Sequence, residues 1–209
     1  MLKIGVLISG YGSNLQAIIN ACDRKEVAGE VVVVISDNAE AKGLERAKKH
    51  NIPGFYINPK DFENKDKFEE KVVETLNEHG VQLVCLAGFM RICGEKLLDH
   101  FRHKVINIHP SLLPSFPGLH AQKQAIDHGV KVSGTTVHFV DNGCDTGPII
   151  LQAAVPVYDD DTEATLSPRI LEKEHEIYPI AVKLFAEGKL EIIGRKVYRE
   201  GMDVNEKES

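Results

Sequence analysis

Lys104-Val105-Ile106-Asn107-Ile108-His109-Pro110-Ser111-Leu112-Leu113-Pro114 is the stretch from which the rest of the chain is best understood. Lys104 to Ile106 opens a short apolar strand. Pro110 has no backbone N–H and cannot continue a central ladder, so the strand stops near His109. Asn107 and His109 are two residues apart and project from one face of an extended backbone. An amide and an imidazole therefore stand side by side at the carboxyl end of a strand, where open α/β sheets place their ligands. The amide offers N–H donors, and the imidazole gives or takes a proton near neutral pH. Together they suit a reaction that passes through a negatively charged oxygen. Two plainer readings stand beside this one. A lone histidine at a strand end is often a hydrogen-bonded core residue. His103 and His120 also raise metal ligation, although no H-x-x-x-H or C-x-x-C pair accompanies them.

Upstream, the pattern is a repeated alternation. Lys3 to Ser9 is a nearly continuous apolar run, fitting a strand buried on both faces of a parallel sheet. Gly10-Tyr11-Gly12 turns the chain, and Ser13 or Asn14 is expected to cap a helix starting near Leu15. Strands follow at Val31–Ile35, Ile52–Ile57 and Val81–Ala87, with helices at Ala39–His50 and Lys65–His79, the latter closed by Gly80. This β-α-β-α order predicts an α/β fold, a Rossmann-like wound and mainly parallel sheet with helices on both faces.

Downstream of His109 the character changes. Pro110 to Gly118 holds three prolines and reads as an ordered irregular loop. A short helix is expected over Ala121–His128. Strands at Val132–Val140 and Ile149–Val157, joined by the turn-rich Asp141-Asn142-Gly143-Cys144-Asp145-Thr146-Gly147, predict an antiparallel extension. Thr162 caps a long helix to about Glu187, with Pro168 and Pro179 disturbing its first turns and middle. Glu191–Ile193 and Val197 suggest a late edge strand. Glu200 to Ser209 is polar, and fraying is expected there.

The 209 residues suffice for one large domain, and 43% hydrophobic with 27% charged residues describes an ordinary globular chain. A net charge of −6 with mixed signs argues against a nonspecific nucleic-acid binder. Cys22, Cys85, Cys93 and Cys144 are far apart and read as reduced thiols of a cytoplasmic protein. The N-terminal apolar run ends within ten residues, too short for a membrane span.

Gly10-Tyr11-Gly12-Ser13-Asn14 follows a strand and opens a helix, so its backbone can approach a phosphate. A dinucleotide fingerprint needs a third glycine where Leu15 stands, although Asp37 at the end of the second strand could hold a ribose. A mononucleotide-type phosphate site and a plain tight turn remain the other readings. In Gly134-Thr135-Thr136-Val137-His138-Phe139, Thr136 and His138 share one face, and His138 suits a support role. Asp145 is a turn residue unless the fold carries it back over the Asn107/His109 strand end, where its charge would favour the imidazolium.

Five segments occur together and in order: Ser9-Gly10-x-Gly12-Ser13-Asn14-Leu15; Leu86-Ala87-Gly88-Phe89-Met90-Arg91; Asn107-x-His109-Pro110-Ser111-Leu112-Leu113-Pro114; Gly134 to Val140 with Asp145; and Glu174-His175-x-x-Tyr178-Pro179. From about residue 2 to about residue 194 the chain resembles the folate-dependent formyl transferase family. The Gly-Ser-Asn loop and the Glu-His-x-x-Tyr-Pro segment point to the branch that acts on glycinamide ribonucleotide in purine synthesis. The resemblance implies one formyltransferase domain over 1–209, with a phosphate-binding half over 1–110 and a folate-binding and C-terminal half over 111–209. It implies formyl transfer from 10-formyltetrahydrofolate without a metal. Asn107 and protonated His109 would stabilise the oxyanion, and Asp145 would keep His109 charged and help move a proton. Gly12, Ser13 and Asn14 would hold the substrate phosphate and Glu174 its ribose. Met90, Arg91, Ile92, Cys93 and Asp141, Asn142, Gly143, Cys144 and Asp145 would line the folate pocket, with Asn107 at its edge. Lys65 matches a position that meets the folate tail in some members, without arginine's bidentate geometry. The implied partners are small molecules, not nucleic acid or membrane, and the implied assembly is a monomer or homodimer. Branches that hydrolyse the folate or formylate methionyl-tRNA would need an added N-terminal domain or a C-terminal one of roughly 100 residues. Here the first strand begins at residue 2 and 15 residues follow Gly194. A non-enzymatic nucleotide sensor would use the Gly12 loop but gives no reason for Asn107, His109 and Asp145.

Overall fold

A computed structural model describes residues 1–200. The expected frayed tail falls mostly on residues 201–209, outside the described residues; Glu200 itself donates its N–H to the Lys189 carbonyl at 3.1 Å. Among the described residues, nine strands form one sheet: β1 (Leu2–Ile8), β2 (Gly29–Ser36), β3 (Gly54–Tyr56), β4 (Leu83–Leu86), β5 (Val105–His109), β6 (Val132–Phe139), β7 (Ile149–Pro156), β8 (Leu190–Ile193) and β9 (Lys196–Arg199). Their order is β3-β2-β1-β4-β5-β6-β7-β9-β8. The first five are mutually parallel, whereas β5, β6 and β7 pair antiparallel. The fold is the mixed α/β wound sheet with the antiparallel extension read from the sequence. The switch in direction falls on β5.

The helices are α1 (Ser13–Asp23), α2 (Lys42–Lys49), α3 (Lys65–Glu78), α4 (Glu95–His100), α5 (Ala121–Asp127) and α6 (Glu163–Ala186). Alternation along the strands splits the core in two. Ile4, Val6 and Ile8 pack with Leu15, Ile18, Ala47, Tyr178 and Val182 of α1, α2 and α6. Leu7, Val33 and Ile35 pack with Phe68, Val72, Leu76 and Leu97 of α3 and α4. None of these helices is long and apolar enough to cross a membrane.

Four local expectations change. Helix α1 starts at Ser13, not near Leu15, and has no side-chain cap; Gly12 precedes it in the left-handed region at φ 73°. That conformation turns the chain sharply enough that neither Ser13 nor Asn14 is left outside the helix to cap it. Helix α4 has no counterpart in the sequence reading, because six residues with two buried leucines are too few to display a period. Helix α6 runs unbroken through Pro168 and Pro179, its start fixed by the Thr162 N–H donating to Thr165 Oγ1 at 2.9 Å. The late strand is a hairpin, with Ile149 of β7 paired to Lys196 of β9.

Tyr178 of α6 is fully buried, and its hydroxyl lies 2.8 Å from the Leu86 carbonyl and 3.1 Å from that of Ile106. One proton shared between the ends of β4 and β5 ties the long helix to the strands that carry the site. Tyr178→Phe leaves both carbonyls without this donor and should lower unfolding free energy by about 1–2 kcal/mol, read from urea denaturation.

Candidate active site

Strand β5 presents Asn107 and His109 on the α3/α4 side of the sheet. Across the antiparallel pairing, Asn107 faces His138 and His109 faces Thr136. His138 Nδ1 lies 2.8 Å from the Phe139 carbonyl, which can only accept, so Nδ1 carries the proton. Its other nitrogen then accepts from Asn107 Nδ2 at 3.2 Å. The support role expected of His138 is therefore exercised on the site itself as well as on backbone.

Asp145 is carried back over the strand end by the β6–β7 turn. Its Oδ2 lies 3.3 Å from His109 Nδ1 and accepts the Gly118 N–H at 2.8 Å. Its Oδ1 lies 3.4 Å from Asn107 Nδ2 and 3.6 Å from His138 Nε2. Burial alone would raise this carboxyl, but His138, the Gly118 N–H and His109 together hold it down to about 2. His109 behaves differently from the expectation. Burial pushes its pKa below the ordinary histidine value, and the Phe116 carbonyl and Asp145 only partly offset that. The imidazole is thus mainly neutral at pH 7, and Asp145 does not by itself keep it charged. Its Nε2 donates to the Phe116 carbonyl at 2.8 Å.

The proline-rich loop after β5 is fixed by contacts that periodicity does not reveal. Thr136 Oγ1 donates to the Ser111 carbonyl at 2.7 Å and accepts the Leu113 N–H at 3.0 Å. Gln152 Nε2 donates to the Leu113 carbonyl at 2.9 Å. These bonds aim the Phe116 carbonyl at His109.

A cleft of about 900 Å³ runs past the glycine loop, lined by Gly10, Gly12, Ser13, Asn14, Pro110 and Glu174 among others. The loop is braced from behind by α2. The Gly10 carbonyl accepts the Gly43 N–H at 3.1 Å, and the Tyr11 carbonyl accepts Arg46 Nε at 2.9 Å. A Cβ on Gly12 would stand 2.7 Å from the Gly43 backbone, so that glycine is required by packing as well as by its φ. With these carbonyls turned towards α2, the N–H groups of Gly12, Ser13 and Asn14 remain without partners among the described residues, as an anion site requires. Asp37 is engaged within the fold, its Oδ2 lying 3.8 Å from Arg91 Nη1. It accepts Ser9 Oγ at 2.6 Å, and Ser9 Oγ in turn accepts the Met90 N–H at 2.9 Å.

A second cavity, of about 480 Å³, adjoins the first and shares Gly88, Met90, Ile108, Pro110 and Gln122 with it. Met90, Arg91, Ile92, Cys93, Asp141, Gly143, Cys144 and Asp145 line it, as do Asn107 and His109. Asn142 and Lys65 do not line it: Asn142 is exposed on the turn, and the Lys65 ammonium faces Glu69 at 3.8 Å. Among the described residues no three His, Cys, Asp or Glu side chains converge as metal ligands, and His103 and His120 do not join His109. All four cysteines are free thiols.

Glu174 of α6 is 7% exposed and accepts Asn14 Nδ2 at 2.7 Å. Burial raises its pKa to about 7, against the pull of that hydrogen bond. The folded protein therefore binds a proton more tightly than the unfolded chain between about pH 4.5 and pH 7, and stability falls as pH rises through that window. Glu174→Gln removes this dependence. Relative to the wild type it should gain up to ~3 kcal/mol between pH 5 and pH 8, read from urea midpoints at both pH values.

Residues 2–182 match the formyl transferase family. The chain is 46% identical over 183 residues to the phosphoribosylglycinamide formyltransferase of Bacillus subtilis, covering 88% of this chain and 94% of that one. It is 50% identical over 190 residues to the trifunctional purine biosynthetic protein adenosine-3 of Drosophila pseudoobscura pseudoobscura; that match covers 90% of this chain and only 14% of the longer protein. Glycinamide ribonucleotide transformylase 1 of Symbiobacterium toebii superposes with a TM-score of 0.94 at 54% identity, covering 95% of this chain and 94% of that one. On this shared sequence, fold and architecture, the chain belongs to the formyl transferase family, among the phosphoribosylglycinamide formyltransferases.

Proposed function

We propose that this protein transfers the formyl group of 10-formyltetrahydrofolate to the amine of glycinamide ribonucleotide, a step of de novo purine synthesis. The observation that carries the proposal is the meeting of Asn107, His109 and Asp145 where an anion-ready cleft adjoins a cavity lined by loop backbone. The ribonucleotide phosphate is held by the N–H groups of Gly12, Ser13 and Asn14, with Glu174 on the ribose. The folate ring system lies against Met90–Cys93 and Asp141–Asp145, and its tail runs towards Lys65. The reactants are small molecules, the single domain divides near residue 110, and the protein works in the cytoplasm as a monomer or homodimer.

The amine nitrogen attacks the formyl carbon, and the carbonyl electron pair moves onto oxygen. Asn107 Nδ2 meets that oxygen by giving up its long 3.4 Å contact with Asp145. His109 starts neutral, with its proton on Nε2. Negative charge growing beside it raises its proton affinity, so the proton leaving the attacking nitrogen passes to His109 Nδ1, and the imidazolium stands beside the oxyanion until that proton moves on. Asp145, ionised down to about pH 2, is too weak a base to hold the amine proton at rest. It orients a water that passes the proton to folate N10. The C–N10 bond then breaks, releasing tetrahydrofolate and the formamide.

Purified protein given both substrates should produce formylated ribonucleotide and tetrahydrofolate in equal amounts; formate released without ribonucleotide formylation would assign hydrolysis instead. Asn107→Ala should lower kcat by about 10²–10³-fold with little change in either KM. Asp145→Asn removes one of the influences raising the His109 pKa, so an NMR titration should move further to acid. An unchanged titration would show that the carboxylate does not act on the ring. Because Asn107 and His109 serve one oxygen, the double alanine variant should lose much less than the product of the single losses.

A further inference from the structure

Helix α3 faces the core with Phe68, Val72 and Leu76, and within that apolar face stands Glu69, 4% exposed. A buried carboxylate is costly unless hydrogen bonds and charge compensate it. Here the compensation comes from the start of α4 and from Lys65. Glu69 Oε1 accepts the Gly94 N–H at 2.5 Å, and Oε2 faces the Leu97 N–H at 3.4 Å. The Lys65 ammonium stands 3.8 Å away, one helical turn earlier. Gly94 is fitted to this contact: a Cβ there would lie 2.8 Å and 2.9 Å from the two carboxylate oxygens. Glu69 thus caps α4 from another helix and fixes the point where the Met90–Cys93 loop ends.

The other end of that loop is fixed by Ser9 Oγ on the Met90 N–H. Between the two pins, Arg91, Ile92 and Cys93 make no backbone–backbone hydrogen bond among the described residues. The Arg91 side chain stands 3.8 Å from Asp37 and over the Phe68 ring, and Cys93 is buried, but the peptide groups between the pins have no backbone partner among the described residues; all three residues line the cavity beside Asn107.

We propose that Glu69 is a positioning residue for the formyl donor, its buried carboxylate holding the Arg91–Cys93 peptides in register for a planar heterocycle with amide-like edges. The inference rests on reading that cavity as the donor site. Glu69 touches neither reactant; it acts through Gly94. Pre-set loop geometry removes an ordering cost from binding, so its loss is felt in donor affinity rather than in the acceptor's.

The experiment combines two-substrate kinetics with backbone hydrogen exchange. Glu69→Leu abolishes both acceptors while keeping the volume apolar, and Glu69→Gln retains one acceptor. Donor KM should rise about tenfold in Glu69→Leu and about threefold in Glu69→Gln, with acceptor KM and kcat at saturating donor within about twofold of wild type. Gly94→Ala presses on the same contact from the loop side. Its φ of −106° suits alanine, and it should raise donor KM selectively even if Glu69→Leu fails to fold. In the wild type, 10-formyltetrahydrofolate alone should protect the amides of 91–93 from exchange. Protection with unchanged donor KM in Glu69→Gln and Gly94→Ala, or equal losses in both KM values and kcat, would overturn the positioning role. No protection of 91–93 in the wild type would overturn the donor-site reading beneath it.

Discussion

The carboxylate of Asp145 joins the segments that make up the centre of this molecule. It reaches His109 and Asn107 of β5, His138 of β6 and the Gly118 N–H of the proline-rich loop. Each contact is made possible by the reversal of the sheet at β5. A parallel strand in the place of β6 would need a long crossover, and its following turn would lie at the opposite end. The antiparallel return puts the 140–148 turn beside His138, and the bonds of Asp141 to Thr146 and Gly143 then hold the turn closed. Asp145 itself sits at φ 55°, an uncommon conformation for a side chain other than glycine. The surrounding bonds hold it there.

The two cavities are linked with equal economy. Ser9 follows the first strand, accepts the Met90 N–H and donates to Asp37, so one hydroxyl fixes the walls on both sides. Helix α6 contributes Glu174 to one cavity and, one turn on, Tyr178 to the strands beneath. The groups lining the two cavities are therefore referenced to the sheet through short paths.

Much of this was legible in the residues. Pro110 ended β5 and left Asn107 and His109 on one face; the apolar runs gave the parallel strands; Thr162 marked the start of α6. Other features depend on packing that no local pattern encodes. The neutral state of His109 results from burial outweighing Asp145, and burial is a property of the assembled loop. Asp37 looked like a ribose ligand because its place at a strand end was visible, while its partner Ser9, 28 residues away, was not. Gly12 suggested close approach of a ligand, yet its nearest constraint is the backbone of Gly43. Glu69 gave no warning, since a glutamate in a charged helix reads as solvated until the fold shows which face it occupies.

The half-titrated Glu174 has a thermodynamic consequence. Near pH 7 its population is divided between acid and anion, and the cleft it lines admits ligands that carry hydroxyl groups. A ligand donating two hydrogen bonds to the carboxylate favours the anion, so association there expels a fraction of a proton into the medium. The heat measured on mixing then contains the ionisation enthalpy of whichever buffer takes that proton up. Titrations in phosphate and in Tris would report different apparent enthalpies for one and the same complex, and their difference counts the protons released on binding, which Glu174→Gln would reduce.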